Sequence, residues 1–526
     1  MNLDPRFGAV LLELVLWLPL AGAIVVALAG YGAADPHPDP GHDHEHAAAT
    51  TLNLRPWRIA TTVAAITFLL AAWLMIGFDR SQASQYQFVT RIAWLPFGSD
   101  YRIGVDGLSM PLVVLNALLS LSAVAGSWRI GTRQPLYFSL FLILESAVAG
   151  VFTAVDLFLF FLFWELELIP MFLIIGIWGG LRREYAAFKF ILFTVGGSAF
   201  MLVGIFLVAF FGHTASQPLT FGIPEIAAFN FAQYGTGIAS LGGFAFILLF
   251  IGFAVKVPIF PLHTWLPDAH VEAPTAGSVM LAGVLLKMGG YGLLRLCITL
   301  LPQAAHDWQW LLIILAVVNS VYGAFVALAQ TDLKKMIANS SISHMGYVIL
   351  GIAALTQVSF NGALLVMIAH GLYSGLLFSM VGLLYDRTHT REIGNMAGLA
   401  ARVPFISTVF FIAGLASLGL PGLAGFVAEF TTFIGAYGVF PFATILCVCT
   451  IAITAGYILW RLGSVFYGPL MPEWSSLTDA IWRERLAVGI LAAATLLVGV
   501  VPIVVTAYSA GGVAPIAAAV SAGVQR

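Results

Sequence analysis

The sequence predicts an all-α polytopic membrane protein of about fourteen transmembrane helices, two of them discontinuous, with two five-helix units related as inverted repeats. Three observations carry this reading. Hydrophobic residues make up 60% of the 526 positions and charged residues only 9%, against about 25% charged in an ordinary soluble domain; mean hydropathy is +0.96. Apolar runs of roughly 20 residues, the length that crosses a hydrocarbon core, recur along the whole chain. Two of those runs, "KVPIFPLHTWLP" and "LGLPGLAGFVAEF", are interrupted by prolines and glycines.

Taken in order, the first run, "VLLELVLWLPLAGAIVVALAG", has only Arg6 before it and no persuasive cleavage site, so it reads as a retained helix rather than a removable signal. Its centre is near residue 20, and the later spans centre near residues 68, 118, 146, 167, 200, 252, 286, 319, 344, 372, 416, 452 and 496. Helices 1–3 and a His-rich loop fall in residues 1–135, helices 4–8 in 136–300, helices 9–13 in 301–470 and helix 14 in 471–526. Each interruption then lies in the fourth helix of its five-helix unit, the arrangement that points to inverted repeats in transporters.

Loops after odd-numbered spans hold Arg55, Arg58, Arg129, Arg133, Arg182, Arg183, Lys189, Lys334, Lys335, Arg387, Arg391, Arg402, Arg483 and Arg485. The positive-inside rule puts that side in the cytoplasm and both termini on the other, periplasmic side of a bacterial inner membrane. The stretch "DPHPDPGHDHEH", Asp35 to His46, falls in the first cytoplasmic loop. Its alternating acids and prolines read as a solvated loop rather than a metal site. A net charge of -2 offers no basic stripe for nucleic acid. Cys297, Cys447 and Cys449 show neither a CxxC pair nor zinc or cluster spacing and read as packing residues.

Glu13, Glu145, Glu165, Glu167, Lys256, Lys287, His344, His370 and Glu429 all fall inside apolar runs. A charge there costs at least about 2.5–3.5 kcal/mol on insertion scales, so these groups must face protein or a hydrated cavity. Glu165 and Glu167 are two residues apart, a rotation of about 200° on a helix, so one of the two is peripheral. Lys256 stands two residues before Pro258. Pro258 and Pro261 bring no amide proton, which predicts that the carbonyls of Ala254 and Val257 are released from the helical ladder beside the lysine. Glu429 follows Pro421 in the same way. Buried lysines, glutamates and histidines whose spacing changes can take up and release protons; the static alternative is a set of ion pairs that only hold helices together. His263 and His270 read as structural or interfacial, and Glu13 as a possible helix contact.

The stretches "FWELELIPM", "AVKVPIFPLHTWLPDAHVEAPTAGSVMLAGVLLKMGGYGLLR", "QTDLKKMIANSSISHMGYV" and "LGLPGLAGFVAEF" resemble the antiporter-like subunits of respiratory complex I, in particular subunit M of bacterial NADH–quinone oxidoreductase, counterpart of mitochondrial chain 4. The resemblance runs from about residue 90 to 470 and leaves out the His-rich loop. It implies fourteen helices, with breaks in helices 7 and 12. It also implies proton-translocating roles for Glu165 on helix 5, Lys256 on helix 7, Lys287 at the centre of helix 8, His344 of "SHMGY" and Glu429 on helix 12, where sister subunits carry lysine. Glu145, one helix before Glu165, matches a glutamate often seen in the family. Glu167 has no counterpart role, so the expectation is that Glu165 switches the charge state of Lys256 while Glu167 is merely tolerated.

No Gly-rich nucleotide fingerprint and no cluster-binding cysteine set appear in the sequence. The resemblance therefore implies no cofactor on this chain, with NADH, FMN, iron–sulfur clusters and quinone handled by partner subunits, and antiporter-like L and N types as neighbours in the membrane arm. Two other readings share these features: a subunit of an Mrp-type cation/proton antiporter or of a membrane hydrogenase, and a passive scaffold.

Overall fold

In a bilayer the backbone must satisfy its own amide and carbonyl groups, and apolar runs do so by coiling into helices. The computed structural model describes residues 3–29, 54–212 and 219–524; the His-rich stretch 35–46 lies outside the described residues. Among these, eleven helices are long and apolar enough to cross a membrane, and three shorter apolar helices accompany them. With the other helical segments of the bundle, the chain order is α1 (Pro5–Ala29), α2 (Arg55–Ile76), α3 (Met110–Gly126), α4 (Gln134–Thr153), α5 (Leu157–Trp178), α6 (Arg183–Phe211), α7a (Leu241–Lys256) followed by α7b (Trp265–Glu272), and α8 (Thr275–Ile298). The second half continues with α9 (Gln309–Leu328), α10 (Leu333–Ala353), α11 (Gln357–Thr388), α12a (Pro404–Ser417) followed by α12b (Ala424–Tyr437), α13 (Pro441–Phe466), α14 (Trp482–Val500) and α15 (Ile503–Val524). The two expected interruptions are α7a/α7b and α12a/α12b.

Local chemistry sets the helix starts. Pro56, Pro135, Pro404 and Pro441 stand in first turns, where a missing N–H leaves nothing unpaired. Asp156, Ser240, Asp332 and Thr356 accept first-turn amides with their side chains. Helices α8 and α10 are wholly buried and α11 nearly so, whereas less than half of α1, α2, α6 and α13 is covered by protein. The polar helices are therefore the inner ones. Gly289 and Gly290 let α8 seat between its neighbours: a Cβ on Gly289 would lie 2.9 Å from the Val257 amide nitrogen, and one on Gly290 2.4 Å from the Met367 sulfur of α11. Small residues at such crossings allow the close backbone approach typical of membrane bundles.

Two elements were not foreseen. An antiparallel hairpin, β1 (Gln87–Leu95) and β2 (Ser99–Val105), joins α2 to α3, with Arg91 opposite Arg102 and Ile92 opposite Tyr101. Several contacts fasten it to the bundle, among them those of Asp156 and Glu13. Asp156 accepts from the Ser99 hydroxyl at 2.9 Å and the Asp100 amide at 3.1 Å, and the Tyr101 hydroxyl donates to Glu13 of α1 at 2.7 Å, beside the Trp17 indole at 3.0 Å. Glu13 thus ties α1 to the hairpin rather than to a second helix. The other is α15. Its Tyr508 hydroxyl donates to the Met75 carbonyl at 3.0 Å and accepts from Arg80 at 3.0 Å, and its Ala510 carbonyl accepts from Gln357 at 3.3 Å. These partners stand at the end of α2 and the start of α11, on one face of the bundle, so α15 lies across helix ends.

Candidate functional site

Helix α7a stops at Lys256 because Pro258 cannot donate to Ala254. The Ala254 carbonyl, released from its ladder bond, accepts instead from the Ile259 amide one residue further on, at 2.8 Å. The Val255 carbonyl takes the Trp265 indole N–H at 2.9 Å. Asn319 of α9 stitches the gap from outside, accepting from the Phe260 amide at 2.7 Å and donating to the Pro258 carbonyl at 3.1 Å.

The Lys256 ammonium forms an ion pair with Glu167, and both side chains are sealed from solvent. It also sits 5.5 Å from the ring centres of Trp164 and Phe190, within the range of a cation–π contact. This corrects the assignment of the two helix-5 carboxylates. They do diverge, as the rotation argument required, but the inward one is Glu167; Glu165 is half-buried and turned towards Ser198 of α6. The physical reason is the helix period: Glu167 continues the buried line of Phe160, Trp164, Leu168 and Met171, whereas Glu165 shares a face with the exposed Leu162 and Ile169. Regular helix runs Leu157–Leu166 and resumes at Leu168; Pro170 gives the Leu166 carbonyl no partner, and the bonds from Glu167 to Phe163 and from Met171 to Glu167 stretch to 3.4 Å.

Lys287 lies on α8 between two wide, π-type stretches, Leu281–Leu285 and Leu293–Ile298, a distortion that recurs at functional sites. Its ammonium donates to the Ala282 carbonyl and lies 2.7 Å from Nδ1 of His370 on α11. The His370 and His344 rings are 5.6 Å apart, and Tyr373 packs at 5.3 and 5.6 Å from them. His344 Nε2 is 3.0 Å from the Ser417 carbonyl at the end of α12a and 3.9 Å from Glu429 Oε1. A carbonyl only accepts, so the ring proton faces it. Glu429 forms the floor of a lateral cavity of about 640 Å³ walled by Phe426, Phe430, Phe433 and Ile434. The structure thus brings Lys287, His344 and Glu429 together through His370.

His370 was recognised in the sequence only as one more ionisable residue in an apolar run. Its signal was that isolation within "LLVMIAHGLYSG", which marks function by default inside a membrane. Glu145 is not brought into this chain: it is fully buried, neither carboxylate oxygen has a hydrogen-bond partner, and it makes no ion pair among the described residues. His270 stacks in parallel on Phe378 at 4.6 Å and His263 on Phe260 at 5.6 Å, packing roles as expected. Among the described residues no group of three His, Cys, Asp or Glu side chains is placed to hold a metal ion.

The family described as NADH:quinone oxidoreductase/Mrp antiporter, TM matches residues 154–454. The chain is 43% identical over 499 residues to NADH-quinone oxidoreductase subunit M of Rhodobacter capsulatus, covering 94% of each. It is 44% identical over 433 residues to an NAD(P)H-quinone oxidoreductase chain 4 of Synechococcus elongatus, 81% of this chain and 79% of that one. Among solved structures it resembles a chain of respiratory complex I from Thermus thermophilus with a TM-score of 0.82 and 29% identity, over 98% of this chain and 99% of that one. A chain of the Mrp complex from Dietzia sp. gives 0.80 at 19% identity over 98% and 99% of the two chains, a likeness of fold alone. With two helices broken beside buried charges, and with identity to subunit M sustained across nearly its whole length, this chain belongs to the subunit M branch of the NADH–quinone oxidoreductase membrane family.

Proposed function

We propose that this chain moves protons across the bacterial inner membrane through Glu165, Lys256, Lys287, His344, Glu429 and Glu145, with His370 as the link between Lys287 and His344. The observation that carries the reading is the contact chain from Lys287 through both histidines to Glu429, four buried side chains on α8, α11, α10 and α12b. Ordinary packing has no use for four adjacent ionisable groups at that depth, each of which costs insertion energy. A proton taken up by an imidazole at one nitrogen and released from the other passes along such a file without large movement.

The redox chemistry that drives it belongs to partner subunits, which hold NADH, FMN, iron–sulfur clusters and quinone. In this reading L- and N-type antiporter-like subunits flank the chain, its units 136–300 and 301–470 act as paired halves, and both termini face the periplasm. The Mrp-type alternative rests on fold likeness at 19% identity against 43% identity to subunit M over nearly the whole chain, and is the weaker of the two.

The test is Lys287→Ala in the intact oxidoreductase, read in inverted membrane vesicles. NADH oxidation and proton uptake are recorded together, and the expected result is an assembled enzyme with a strongly reduced ratio of protons moved to NADH oxidised. A Lys287→Ala enzyme that pumps at the normal ratio removes the central lysine from the path.

A further inference from the structure

A cavity of about 860 Å³ opens at the end of the bundle where α5 passes into α6 and α7b into α8, with the first turn of α10 and the last turns of α11 as its other walls. None of the side chains in the file from Lys287 to Glu429 lines it. In a chain of net charge -2, it is bordered by Arg182, Arg183, Lys334 and Arg391 against only Glu184 and Glu272. Lys334 is 5% exposed, and its ammonium donates to the carbonyls of Ala273 at 2.5 Å and Val271 at 3.5 Å. An ammonium has three donors; the third and the whole charge are left over, since Lys334 makes no ion pair among the described residues. The acids beside it are engaged elsewhere. Asp332 accepts the Lys334 and Lys335 amides at 2.7 and 3.0 Å and pairs with Arg391 at 3.4 Å, and Glu272 accepts the Arg182 amide at 2.9 Å. The Arg182 guanidinium lies 4.7 Å from the Tyr185 ring centre and that of Arg183 donates to the Ile177 carbonyl at 3.3 Å, again with no carboxylate among the described residues. Helix α6 begins at Arg183 without a side-chain cap, so its first-turn amides and positive dipole end border the same space.

Such a hollow suits a group with several anionic oxygens, and at a membrane surface that group is phosphate. The rim decides where the phosphate comes from. Leu181, at the tip of the α5–α6 loop, is fully exposed, and Tyr185 and Tyr385 are 49% and 42% exposed. From Tyr185 an exposed apolar stripe of Phe188, Leu192 and Val195 continues along α6 at helical spacing. A phosphate compound in solution has no use for that stripe, whereas acyl chains running down from a headgroup cover it. We propose that this cavity binds the phosphate group of an anionic phospholipid from the leaflet at that end of the bundle, with Arg182, Arg183 and Lys334 as its cationic contacts and the acyl chains along the α6 stripe. The phosphate supplies the counter-charge that Lys334 lacks. Lys334 holds the Ala273 carbonyl and Arg391 the Val271 carbonyl at 2.8 Å, so the bound lipid braces the short link between α7b and α8.

The test uses the intact oxidoreductase in phosphatidylcholine vesicles containing a trace of phosphatidylglycerol with a photoreactive diazirine on one acyl chain; a phosphatidylcholine with the same diazirine serves as the neutral probe. After illumination, label on α6 residues 185–195 is measured by mass spectrometry for the parent, R182Q/R183Q, K334Q and R402Q. Arg402 is an exposed arginine in the loop after α11, outside the cavity. The expected result is that phosphatidylglycerol labels the parent well above phosphatidylcholine, that R182Q/R183Q and K334Q each lose most of that label, roughly tenfold for the arginine pair, and that R402Q keeps it. Equal labelling by the two lipids, or equal loss in R402Q, overturns the proposal in favour of general attraction to a basic surface. Absence of label in the parent also overturns it, as when a neighbouring subunit fills the cavity. Inorganic phosphate added at constant ionic strength separates the sources: label that persists supports the lipid, and label displaced by phosphate overturns the lipid assignment and gives the cavity to a phosphate compound in solution. If K334Q fails to assemble because the α7b–α8 link loses its brace, R182Q/R183Q, which alters only exposed side chains, decides the outcome.

Discussion

Gly419 decides where Glu429 can stand. It lies in the gap between α12a and α12b at a φ of +76°, a region that costs an L-residue roughly 1–2 kcal/mol. A Cβ there would come 2.8 Å from Glu429 Oε2. Gly419→Ala should therefore push the carboxylate away from His344 and lower the proton-to-NADH ratio in vesicles while the complex still assembles; an unchanged ratio would mean that the 3.9 Å spacing to His344 has no part in transfer. Lys256, Lys287, His344 and Glu429 could be picked from the sequence because an ionisable residue in an apolar run announces itself. The choice between Glu165 and Glu167 could not be made that way. Helical periodicity says that two such residues diverge, but in a run that is apolar on every side the sequence does not show which face is the inner one; the buried line of Phe160, Trp164, Leu168 and Met171, to which Glu167 belongs, appears only in the structure. His370 was visible as a residue yet not as a link, since its role depends on α8, α10 and α11 meeting in space.

At the scale of elements, the break in α7 was legible because prolines inside an apolar run have a single structural consequence, the loss of a ladder bond. What fills the gap was not, because Asn319 comes from a helix 60 residues further on and Trp265 from beyond the break. Alanine at Pro258 would supply an amide whose natural acceptor, the Ala254 carbonyl, is already taken by Ile259; the break is held by its neighbours as much as by its prolines. Asn319→Leu should be the more damaging change. It strands the Phe260 amide and the Pro258 carbonyl, about 1–3 kcal/mol for each buried unsatisfied group, and should lower both the thermal stability of the assembled complex and its proton coupling. A leucine variant as stable as the parent would show that water replaces the amide there. The hairpin and α15 escaped sequence reading for ordinary reasons. Most of β1 is exposed, so it carries no inward-facing pattern. The α14–α15 boundary rests on Pro502, which keeps Val501 out of the helical conformation, a small mark inside a long apolar stretch.

Across the whole molecule, the charges divide into those in the path and those that hold the frame. The clearest frame pair is Asp106 with Arg295, both buried, one before α3 and the other two turns beyond Lys287 on α8. Arg295 Nη2 donates to both carboxylate oxygens at 2.6 Å and its Nε to the Tyr291 hydroxyl at 3.2 Å, and the Asp106 carboxylate also accepts from the Leu108 and Ser109 amides at 3.1 and 3.0 Å. Every formal charge at that end of α8 is therefore matched, unlike the lysine and glutamates in the path, several of whose oxygens have no partner. Breaking such a pair from one side leaves a buried charge alone, at about 3–5 kcal/mol, whereas removing both charges is often nearly neutral. Arg295→Leu should thus sharply reduce the amount of assembled complex. Pairing it with Asp106→Asn, which removes the charge but keeps an oxygen for the Leu108 and Ser109 amides, should restore most of it. The restored enzyme should pump at the parent ratio, because neither residue touches the file from Lys287 to Glu429. If the double variant assembles as poorly as Arg295→Leu alone, the arginine acts through packing against Tyr86 and Tyr291 rather than through its charge; if it assembles but no longer couples, the far end of α8 belongs to the path after all.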